Sequence, residues 1–567
     1  MKKIFSTAII VMLLMPSEMM LAQSILFANK VGGQQFDQAM GVAVDAIGNV
    51  ITTGYFVGTS DFNSSIVDSF ITSKGSHDVF VVKNDSAGNF LWAFGIGGTS
   101  DEFNYTSPVV DAIGNIYVCG VYSDTVDFDP SPNNEYKLAS NGQYDGFIAK
   151  YTSNGGFVWA KSFGGLYNDD VYQLCGSANG DVLFAASYND SADLEPDTSL
   201  ITMYYSNGIT DIFFGRITSA GNIIWLKTMG GIDYDHPNSI SENYSGEIIL
   251  QGGFTSSFDA DPGTGVHILT GSNAPGFIAK YTQTGDYVWA HGFNSFSPFS
   301  SMSDAAGNIY SCGYINANVD LDPGPDTNKV FVVGSFDAYV AKYDINGNYK
   351  NAFGIGSNNL DVAYGIGFIN TNQIVVGGYF YNSADFNPSP AVTNALASFG
   401  FGDVFVAQYD SALNYINAFK AGGAMFDFCR NIAVYNNQSL VIAGGFTDVA
   451  DFDPSATLQT LSSTGGSRDG FIVQYGSIPT SLTNINVFQR NISVSPNPAS
   501  DFILLNGLNN GADKTVTIMS VDGKPIKQIQ LKFTTSHQIN VSDLHSGLYL
   551  LKVQSPTDCR HVKFIKH

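Results

Sequence analysis

Asp127-Phe128-Asp129-Pro130 is the stretch that decides the fold, because close variants of it recur through most of the 567-residue chain. The seven copies begin at Asp61, Asp127, Asp193, Asp259, Asp320, Asp385 and Asp451, so successive copies are 66, 66, 66, 61, 65 and 66 residues apart. A fixed long period indicates a repeat architecture in which each repeat is one supersecondary unit. The spacing therefore predicts seven similar units over residues 23–475.

The second repeat shows how one unit is built. Pro108 to Ser123 contains two apolar runs on either side of a turn-forming stretch, Asp111 to Asn115, which is typical of a hairpin. A connection that opens with the Asp127 stretch leads to a third run at Asp145 to Tyr151, and a glycine turn leads to a fourth at Phe157 to Gly165. Four antiparallel strands per repeat predict a propeller blade, because radial repetition of such blades leaves only short edges.

The last repeat ends at Phe471 to Tyr475 without a fourth strand. A matching segment, Leu26 to Gly33, precedes the first repeat. We therefore predict an all-β chain with a seven-bladed, monomeric β-propeller that is closed by its N-terminal strand. This closure would cover two strand edges that otherwise promote aggregation.

The two ends of the chain differ in composition from the repeats. Lys2 and Lys3 precede an apolar run that ends at Met15, which predicts a signal peptide over residues 1–22. The run is too short to span a bilayer comfortably, so no transmembrane segment is expected in the mature chain. The expected order is signal peptide 1–22, propeller 23–475, linker 476–490 and a small β-sandwich at 491–567.

Charge and cysteine usage narrow the classes of partner. The chain has a net charge of −24, to which the segment from Asn484 contributes +4 and residues 1–22 contribute +1, so residues 23–483 carry −29. A body this acidic argues against nucleic acid as a partner. The chain has five cysteines and no Cys-x-x-Cys motif. Cys119 and Cys312 occupy one repeat position among small residues, which predicts small buried side chains.

The repeat pattern resembles a known family. The repeats are of the type Asp-x-x-Gly-Asn-x-Tyr-x-x-Gly, Asp-Phe-Asp-Pro, Asp-Gly-Phe-Ile-Ala-Lys-Tyr and Gly-x-x-x-Trp-Ala in that order, as in Asp111 to Ala160. This order is similar to the bacterial SBBP-type β-propeller repeats over residues 25–475. The resemblance implies a secreted or surface propeller, without an assigned activity.

The C-terminal segment resembles a second family. Its opening Pro496-Asn497-Pro498, its strand Ser546 to Val553 and its terminal lysines resemble the type A C-terminal sorting domain of the type IX secretion system. The resemblance implies that residues 491–567 address the chain to that machinery in a Bacteroidetes-type cell. The body would then be released or attached to the outer cell surface. The alternative is an ordinary immunoglobulin-like accessory domain.

Paired carboxylates in the repeated stretch suggest calcium. Carboxylates two residues apart in extended chain project to the same side, and calcium binds carboxylate and carbonyl oxygens together. The alternative is that the first Asp accepts backbone N–H groups in an Asx turn, while the Pro fixes the exit of the connection. The best candidate pairs for calcium are Asp127 with Asp129, Asp259 with Asp261, Asp320 with Asp322, and Asp451 with Asp453.

A second repeated position carries mostly basic residues: Lys83, Lys150, Arg216, Lys280, Lys342, Gln408 and Gln474. A ring of cations could hold an anionic ligand. Pairing of each cation with an acid of the same or the next blade explains the pattern as well. We favour the structural role, because a site for one ligand rarely needs the same group in most blades.

Three functions are compatible with the sequence. The first is a non-catalytic binding or adhesion scaffold for a glycan or protein, using side chains that differ among the connections between second and third strands: Tyr136, Tyr204, Tyr205, His267, Phe399 and Phe401. The second is a polysaccharide hydrolase or lyase with carboxylates unique to one or two blades at the central opening, for which the candidates are Glu102, Asp169, Asp170, Asp233 and Asp235. The third is a structural surface-layer element.

Overall fold

The computed structural model describes residues 24–65, 67–195, 201–436, 439–455, 458–476, 493–495, 497–506, 514–520, 524–531, 536–554 and 559–567. The chain divides into two compact parts, the body (Met1–Thr480) and the tail (Ser481–His567). All named elements of the described ranges are strands, so the predicted all-β class is confirmed. The predicted signal peptide and residues 477–490 of the predicted linker lie outside the described residues.

The first part of the body contains eighteen strands. They are β1 (Ser24–Gly33), β2 (Gln38–Val44), β3 (Val50–Phe56), β4 (Thr59–Asp61), β5 (Phe70–Thr72), β6 (Asp78–Asn84), β7 (Phe90–Ile96), β8 (Glu102–Phe103) and β9 (Val109–Val110). There follow β10 (Ile116–Tyr122), β11 (Thr125–Asp127), β12 (Lys137–Ala139), β13 (Asp145–Tyr151), β14 (Phe157–Gly165), β15 (Asp170–Gly176), β16 (Val182–Asp193), β17 (Met203–Ile217) and β18 (Ile223–Met229).

The rest of the body continues the same pattern. Its strands are β19 (His236–Glu242), β20 (Ile248–Gly253), β21 (Ser257–Asp259), β22 (Ile268–Thr270), β23 (Gly276–Tyr281), β24 (Tyr287–Phe293), β25 (Phe296–Ser303), β26 (Ile309–Ile315), β27 (Val319–Asp320) and β28 (Lys329–Val330). There follow β29 (Asp337–Tyr343), β30 (Tyr349–Ile355), β31 (Val362–Asn370), β32 (Gln373–Asp385), β33 (Ala395–Asp410), β34 (Tyr415–Gly423), β35 (Phe428–Tyr435), β36 (Ser439–Thr447), β37 (Val449–Asp451), β38 (Thr460–Ser462) and β39 (Arg468–Gly476).

A module of four antiparallel strands recurs along the body. It is formed by β2-β3-β6-β7, β15-β16-β17-β18, β19-β20-β23-β24, β25-β26-β29-β30 and β31-β32-β33-β34. In one further module the first strand is split into β8 and β9, which pair with β10, and β13 and β14 follow. In the last one β35, β36 and β39 are joined by β1, whose Ala28 lies opposite Val473.

Local turn chemistry explains where the hairpins form. In the turn between β9 and β10, Asp111 accepts the backbone N–H groups of Ile113 and Asn115 at 3.1 and 2.8 Å. Gly114 has a φ of 87°, a conformation that a side chain would disfavour. Aspartate, glycine and asparagine at these positions therefore fix the hairpin, as the sequence predicts.

The connection that opens with the repeated stretch is itself ordered as a hairpin. β11 pairs with β12, and β4-β5, β21-β22, β27-β28 and β37-β38 pair in the same way. In two modules the hairpin is continuous with the long strands β16-β17 and β32-β33. The sequence predicts only plain connections for these segments, because their short strands lack a clear apolar alternation.

A buried tyrosine ties this hairpin to its module. The hydroxyl of Tyr151, at the end of β13, donates to the carbonyl oxygen of Phe128 at 3.0 Å. The same bond recurs at 2.9–3.0 Å for Tyr281 with Ala260, Tyr343 with Leu321, Tyr409 with Phe386 and Tyr475 with Phe452. Since a buried phenol needs a hydrogen-bond partner, this contact links the two repeated motifs.

The first strand of each module, called the inner strand below, contacts the inner strands of its neighbours. β2 contacts β9, and the series continues through β15, β19, β25, β31 and β35, which contacts β2 again. Apolar clusters fill the space between neighbouring modules. Cys119 and Cys312 lie buried in these clusters with free thiols, as the sequence predicts.

Pairs of buried carboxyl groups lie at the module junctions. Asp169, just before β15, accepts the backbone N–H of Gly165 at 2.7 Å, and the charge of Asp145 on β13 acts on it. Five more pairs repeat this arrangement: Asp37 with Asp469, Glu102 with Asp78, Asp235 with Asp211, Asp361 with Asp337 and Asp427 with Asp403. At the junction where Pro275 replaces the third-strand Asp, the segment 293–298 carries no acid either.

Burial raises the pKa of these inner carboxyl groups. Desolvation is the largest cause in every case, and the neighbouring carboxylate adds to it. The pKa is about 6 for Asp37 and Asp361, about 7 for Asp235 and Asp427, and about 8 for Glu102 and Asp169. Oxygens of Asp145, Asp211, Asp403 and Asp469 are buried without a hydrogen-bond partner in the described structure.

The tail is built from two antiparallel sheets. Its strands are β40 (Ser493–Ser495), β41 (Phe502–Asn506), β42 (Lys514–Ser520), β43 (Pro525–Leu531), β44 (Ser536–Asn540), β45 (Gly547–Gln554) and β46 (Cys559–Lys566). One sheet has the order β40-β41-β44 and the other β43-β42-β45-β46. Residues of both sheets, including Ile503, Val516 and Leu551, share one apolar core.

The buried carboxyl pairs predict an unusual dependence of stability on pH. A group whose pKa is raised by folding stabilises the folded state below its unfolded pKa, and this contribution is lost as the pH rises through the folded pKa. We expect the melting temperature of the body to be higher at pH 5.5 than at pH 8.5, with the change centred between about pH 6 and 8. Differential scanning fluorimetry over this range measures it.

The control for that measurement is moderate salt. Salt screens the repulsion among the surface charges of residues 23–483, which carry a net charge of −29, but it does not lower the free-energy cost of burying a carboxylate. The pH dependence should therefore persist in 0.5 M NaCl, a concentration well above ~0.1 M, where the Debye length is about 10 Å. A melting temperature that falls steadily from pH 8.5 to pH 5.5 would contradict the prediction.

Candidate functional site

The repeated aspartates form the turns of the short hairpins. Asp127 accepts the backbone N–H groups of Asp129 at 3.1 Å and Tyr136 at 2.9 Å, and Asp129 accepts that of Ser131 at 2.9 Å. These bonds are those of an Asx turn and account for the recurrence of the motif.

The first aspartates of the other three candidate pairs make the same bonds as Asp127. Asp259, Asp320 and Asp451 each accept two backbone N–H groups, at distances between 2.8 and 3.2 Å. In each case both N–H groups bond to the same carboxylate oxygen. The first position of the repeated stretch therefore acts as a turn former in all four pairs.

The second aspartates of these three pairs are also engaged within the turn. Asp261 accepts the backbone N–H of Gly263 at 2.8 Å. Asp322 accepts that of Gly324 at 2.8 Å, and its other oxygen accepts the side-chain amide of Asn328 at 2.7 Å. Asp453 accepts the backbone N–H of Ser455 at 2.8 Å. Each bond of the second aspartate thus repeats what Asp129 does, and the turn alternative explains both positions of the pair.

Calcium binding stays a prediction at all eight candidate aspartates: Asp127, Asp129, Asp259, Asp261, Asp320, Asp322, Asp451 and Asp453. Within the described ranges, no group of three or more His, Cys, Asp or Glu side chains is arranged to hold a metal ion. A calcium ion at any of these pairs would therefore have to be completed by carbonyl oxygens or water.

The repeated basic position joins neighbouring modules. Lys83 pairs with Asp45 at 3.0 Å and donates to the carbonyl oxygen of Ser153 in the next module at 3.2 Å. Three further residues at this position also contact an acid or a carbonyl oxygen. Arg216 pairs with Glu242, Lys280 pairs with Glu247, and Lys342 donates to the carbonyl oxygen of Ser411. The geometry favours the structural interpretation of this position.

The aromatic residues predicted as ligand contacts lie on the short hairpins of separate modules. Tyr136 packs on Phe157 at a centroid distance of 4.8 Å, and Phe399 lies under the amino group of Lys420. Tyr205 and Phe401 are exposed. No contact among the described residues joins these aromatic side chains into one site.

The carboxylates proposed for catalysis divide into two groups. Glu102, Asp169 and Asp235 belong to the buried pairs at the module junctions, so they are repeated rather than unique to one or two modules. Asp233 lies on the loop before β19, where its carbonyl oxygen accepts the Thr210 N–H. Asp170 differs from these, because it lines a pocket between the inner strands.

This inner-strand pocket has a volume of about 340 Å³ and receives residues from all the inner strands. In six of them a β-bulge adds one residue, and the added residue lines the pocket: Met40, Tyr172, Asn238, Phe299, Tyr364 and Arg430. Tyr105, between β8 and β9, has the equivalent place. A bulge re-aims a side chain out of the regular alternation, so each module contributes one side chain to a common space. These side chains are three tyrosines and one each of Met, Asn, Phe and Arg.

Aromatic rings form much of the pocket wall. Tyr105 stacks with Tyr172 at 6.2 Å between centroids, and Phe299 packs against Tyr364 at 5.0 Å. The rings are partly buried. Apolar and aromatic walls with a few polar groups are typical of small-molecule sites.

Arg430 is the basic residue of the pocket. Its guanidinium carbon lies 4.2 Å from the ring centre of Tyr364 and 5.8 Å from that of Phe299. It forms no ion pair with any described carboxylate. Aromatic stacking holds the guanidinium by its face and leaves the N–H groups at its edge available.

Asp170 is the acidic residue of the pocket. Burial raises its pKa to about 6, although the Tyr172 hydroxyl donates to it at 3.5 Å and opposes the shift. Polar side chains around it include Gln173, which accepts a hydrogen bond from Thr106 at 2.5 Å, and Asn238. The pocket thus combines one acid, one base and several amide groups.

A larger groove of about 910 Å³ lies at the turns between β15-β16 and β19-β20. Its charged residues are already matched, because Arg216 pairs with Glu242 at 2.6 Å and both bond to Ser177. It is lined mainly by turn residues that recur in the repeat. We therefore place the candidate site in the inner-strand pocket.

The sequence contains a signal for the pocket that the sequence analysis missed. Six bulge or equivalent residues stand three positions after the buried junction acid: Met40, Tyr105, Tyr172, Asn238, Tyr364 and Arg430. This position varies from module to module, whereas the acid before it is repeated. A variable position close to one that is repeated in six of the seven modules is the pattern expected of a site that each module helps to build.

Comparison with known proteins identifies the tail. Residues 493–567 match the family model described as the secretion system C-terminal sorting domain. This match supports export and surface attachment through the type IX machinery. No described helix is long and apolar enough to cross a membrane.

The body has distant relatives. An uncharacterised WD repeat-containing protein of Acanthamoeba polyphaga mimivirus is 23% identical over 549 residues, covering 81% of this chain and 39% of the relative. This chain therefore spans about two fifths of the length of that curated relative. A crystal structure of a protein of unknown function from Bacteroides caccae covers 52% of this chain and 78% of its own, at 12% identity and a TM-score of 0.28.

A tetra-tandem repeat from the extending region of a large adhesion protein covers 87% of this chain and 96% of its own, at 12% identity and a TM-score of 0.10. Scores this low carry no argument about the fold.

The turn role of the repeated aspartates can be tested at Asp127. Asp127→Asn keeps an oxygen acceptor for the two backbone N–H groups, so the melting temperature should change little. Asp127→Ala removes both hydrogen bonds and should lower the free energy of unfolding by about 1–3 kcal/mol. Chemical unfolding of both variants, with calcium and with excess chelator, measures the effects. Equal destabilisation by both variants that appears only with calcium would contradict the turn role and support a cation site.

Proposed function

We propose that this protein is a secreted or surface-attached, seven-bladed β-propeller of the SBBP type that binds a glycan in the inner-strand pocket without catalysis. The observation that carries the proposal is the pocket itself, to which every module contributes a side chain and whose wall combines several aromatic rings with amide and charged groups. The mature body would be monomeric, and the tail would be its contact with the export machinery.

Strand pairing supports the closed, seven-bladed arrangement. The contacts between inner strands return from β35 to β2, and β1 completes the module of β35, β36 and β39. A relative with WD repeats also favours a repeat propeller, because WD repeats are propeller units. In such a ring the inner strands surround the axis, so a pocket between them is reached from one end.

The chemistry of the pocket favours a glycan over other ligands. Tyr172, Tyr364 and Phe299 line the pocket, and an aromatic wall suits packing against the C–H face of a sugar. Gln173 and Asn238 supply hydrogen-bond donors and acceptors suited to hydroxyl groups. A volume of about 340 Å³ lies at the small end of ligand pockets, which suits roughly one or two sugar rings.

The enzyme alternative depends on Asp170. Its raised pKa of about 6 would suit a general acid. Glycoside hydrolysis normally uses two carboxyl groups about 5–10 Å apart, and Asp170 is the single carboxylate among the residues that line the pocket. We therefore favour binding over catalysis. Release of reducing ends from a bound oligosaccharide would instead support the enzyme alternative.

Ring closure by β1 can be tested with a designed disulfide. Ala28 and Val473 are opposite each other in the antiparallel pair, so cysteines at both positions lie within reach of a disulfide. We expect Ala28→Cys with Val473→Cys to form a covalent ring that shows a mobility shift on a non-reducing gel.

The control for this experiment is Ala28→Cys with Ile472→Cys, because neighbouring residues of a strand point to opposite faces. It should remain reduced. Equal crosslinking in both pairs, or none in the first, would contradict the proposed closure.

The pocket itself can be tested with tyrosine variants. Tyr364→Ala and Tyr172→Ala each remove a ring face from the wall, so affinity for a glycan found by array screening should fall about tenfold or more, equivalent to 1.4 kcal/mol. Tyr205→Ala is the matched control, because this tyrosine is 73% exposed on a hairpin remote from the pocket. Isothermal titration calorimetry measures all three. If Tyr205→Ala alone weakened binding, the site would be on the hairpins instead.

A further inference from the structure

We propose that the ligand carries a negatively charged sugar substituent, a carboxylate or a sulfate ester, and that Arg430 binds it. This inference rests on the proposed function and names the class of glycan. It predicts selectivity for acidic over neutral saccharides.

Arg430 is held in the pocket by a bulge and an aromatic ring. The bulge in β35 places it in the pocket, and its guanidinium carbon lies over the Tyr364 ring, 4.2 Å from the ring centre. The five N–H donors of a guanidinium lie in its plane and match the two oxygens of a carboxylate or sulfate. Contact with the ring therefore leaves the donors available for a planar or tetrahedral oxyanion.

Arg430 has no acidic partner among the described residues, although the protein is rich in acids. The body carries a net charge of −29 and contains three arginines, Arg216, Arg430 and Arg468. Arg216 pairs with Glu242. Arg468 packs among Phe36, Phe426 and Phe428 and donates to Gln38. Arg430 forms no ion pair with any described carboxylate, although carboxylates outnumber cations.

The two charged residues of the pocket, Asp170 and Arg430, come from separate inner strands. Asp170 lies on β15 and Arg430 on β35, and these strands are not neighbours in the series of inner strands. Arg430 is not among the groups that shift the pKa of Asp170. A ligand can thus place one anionic group at Arg430 and neutral hydroxyls near Asp170, Gln173 and Asn238. Asp170 would repel a second anionic group at its end of the pocket.

The test uses four probes of matched length: a hexuronate oligosaccharide, a sulfated oligosaccharide, a neutral hexose oligosaccharide and a peptide with a free C-terminal carboxylate. Calorimetry with the full mature chain should give at least about tenfold tighter binding of one acidic saccharide than of the neutral one, as expected for charge-assisted bonds. The hexuronate and sulfated probes distinguish the two sources of charge.

Variants assign the selectivity to one residue. Arg430→Gln should abolish the preference for the acidic saccharide and keep the affinity for the neutral one. Arg430→Lys should restore part of the preference, because an ammonium supplies the charge without the fork of donors. Lys227→Gln is the control, because it removes one positive charge from the ion pair of Lys227 with Asp286. It should leave the affinities for all four probes unchanged.

The possible failures are distinguishable. If the wild-type chain bound acidic and neutral saccharides equally and Tyr364→Ala weakened both, the proposed function would stand and the role of Arg430 would be wrong. The role would also be wrong if Lys227→Gln reduced the preference as much as Arg430→Gln. Binding of the peptide alone, or of no probe, would overturn both proposals.

Discussion

The pairing of β1 with β39 is the interaction on which the proposed architecture depends. It joins residues more than 430 positions apart, such as Val31 and Gly470. The entropic cost of closing a loop grows only slowly with its length, so one strand is enough to hold the ends together. Without it, β39 would expose an open edge, and the contact between β35 and β2 would lose its support.

The repeated residues make the contacts that build this architecture. Asp127 and Asp129 organise a turn, Tyr151 ties the short hairpin to its module, and Lys83 joins one module to the next. Each of these contacts uses a side chain that most of the repeats contain. The proposed ligand contacts instead come from a position three residues after the junction acid that varies among the modules, where Tyr364 and Arg430 lie.

Much of the body could be predicted from the sequence, and the limits have physical causes. The four-strand module and the role of Leu26 to Gly33 follow from apolar runs, turn residues and a period. The bulges at Tyr172 and Arg430 do not, because an extra residue breaks the alternation that sequence patterns rely on. The junction pairs were also missed, since Asp145 and Asp169 approach each other only after two modules pack together. Aromatic residues of the hairpins such as Tyr205 stay predicted ligand contacts, because sequence shows which side chains vary, whereas convergence of side chains on one site is visible only in the fold.

The most direct test of this account is a crystal structure of the mature chain with a bound acidic oligosaccharide. We predict a closed ring of seven modules, with the anionic group of one sugar within hydrogen-bond distance of the Arg430 guanidinium and its ring against Tyr364. An open or differently closed body, or a sugar bound at hairpin residues such as Tyr205 and Phe399 with an empty inner-strand pocket, would contradict it.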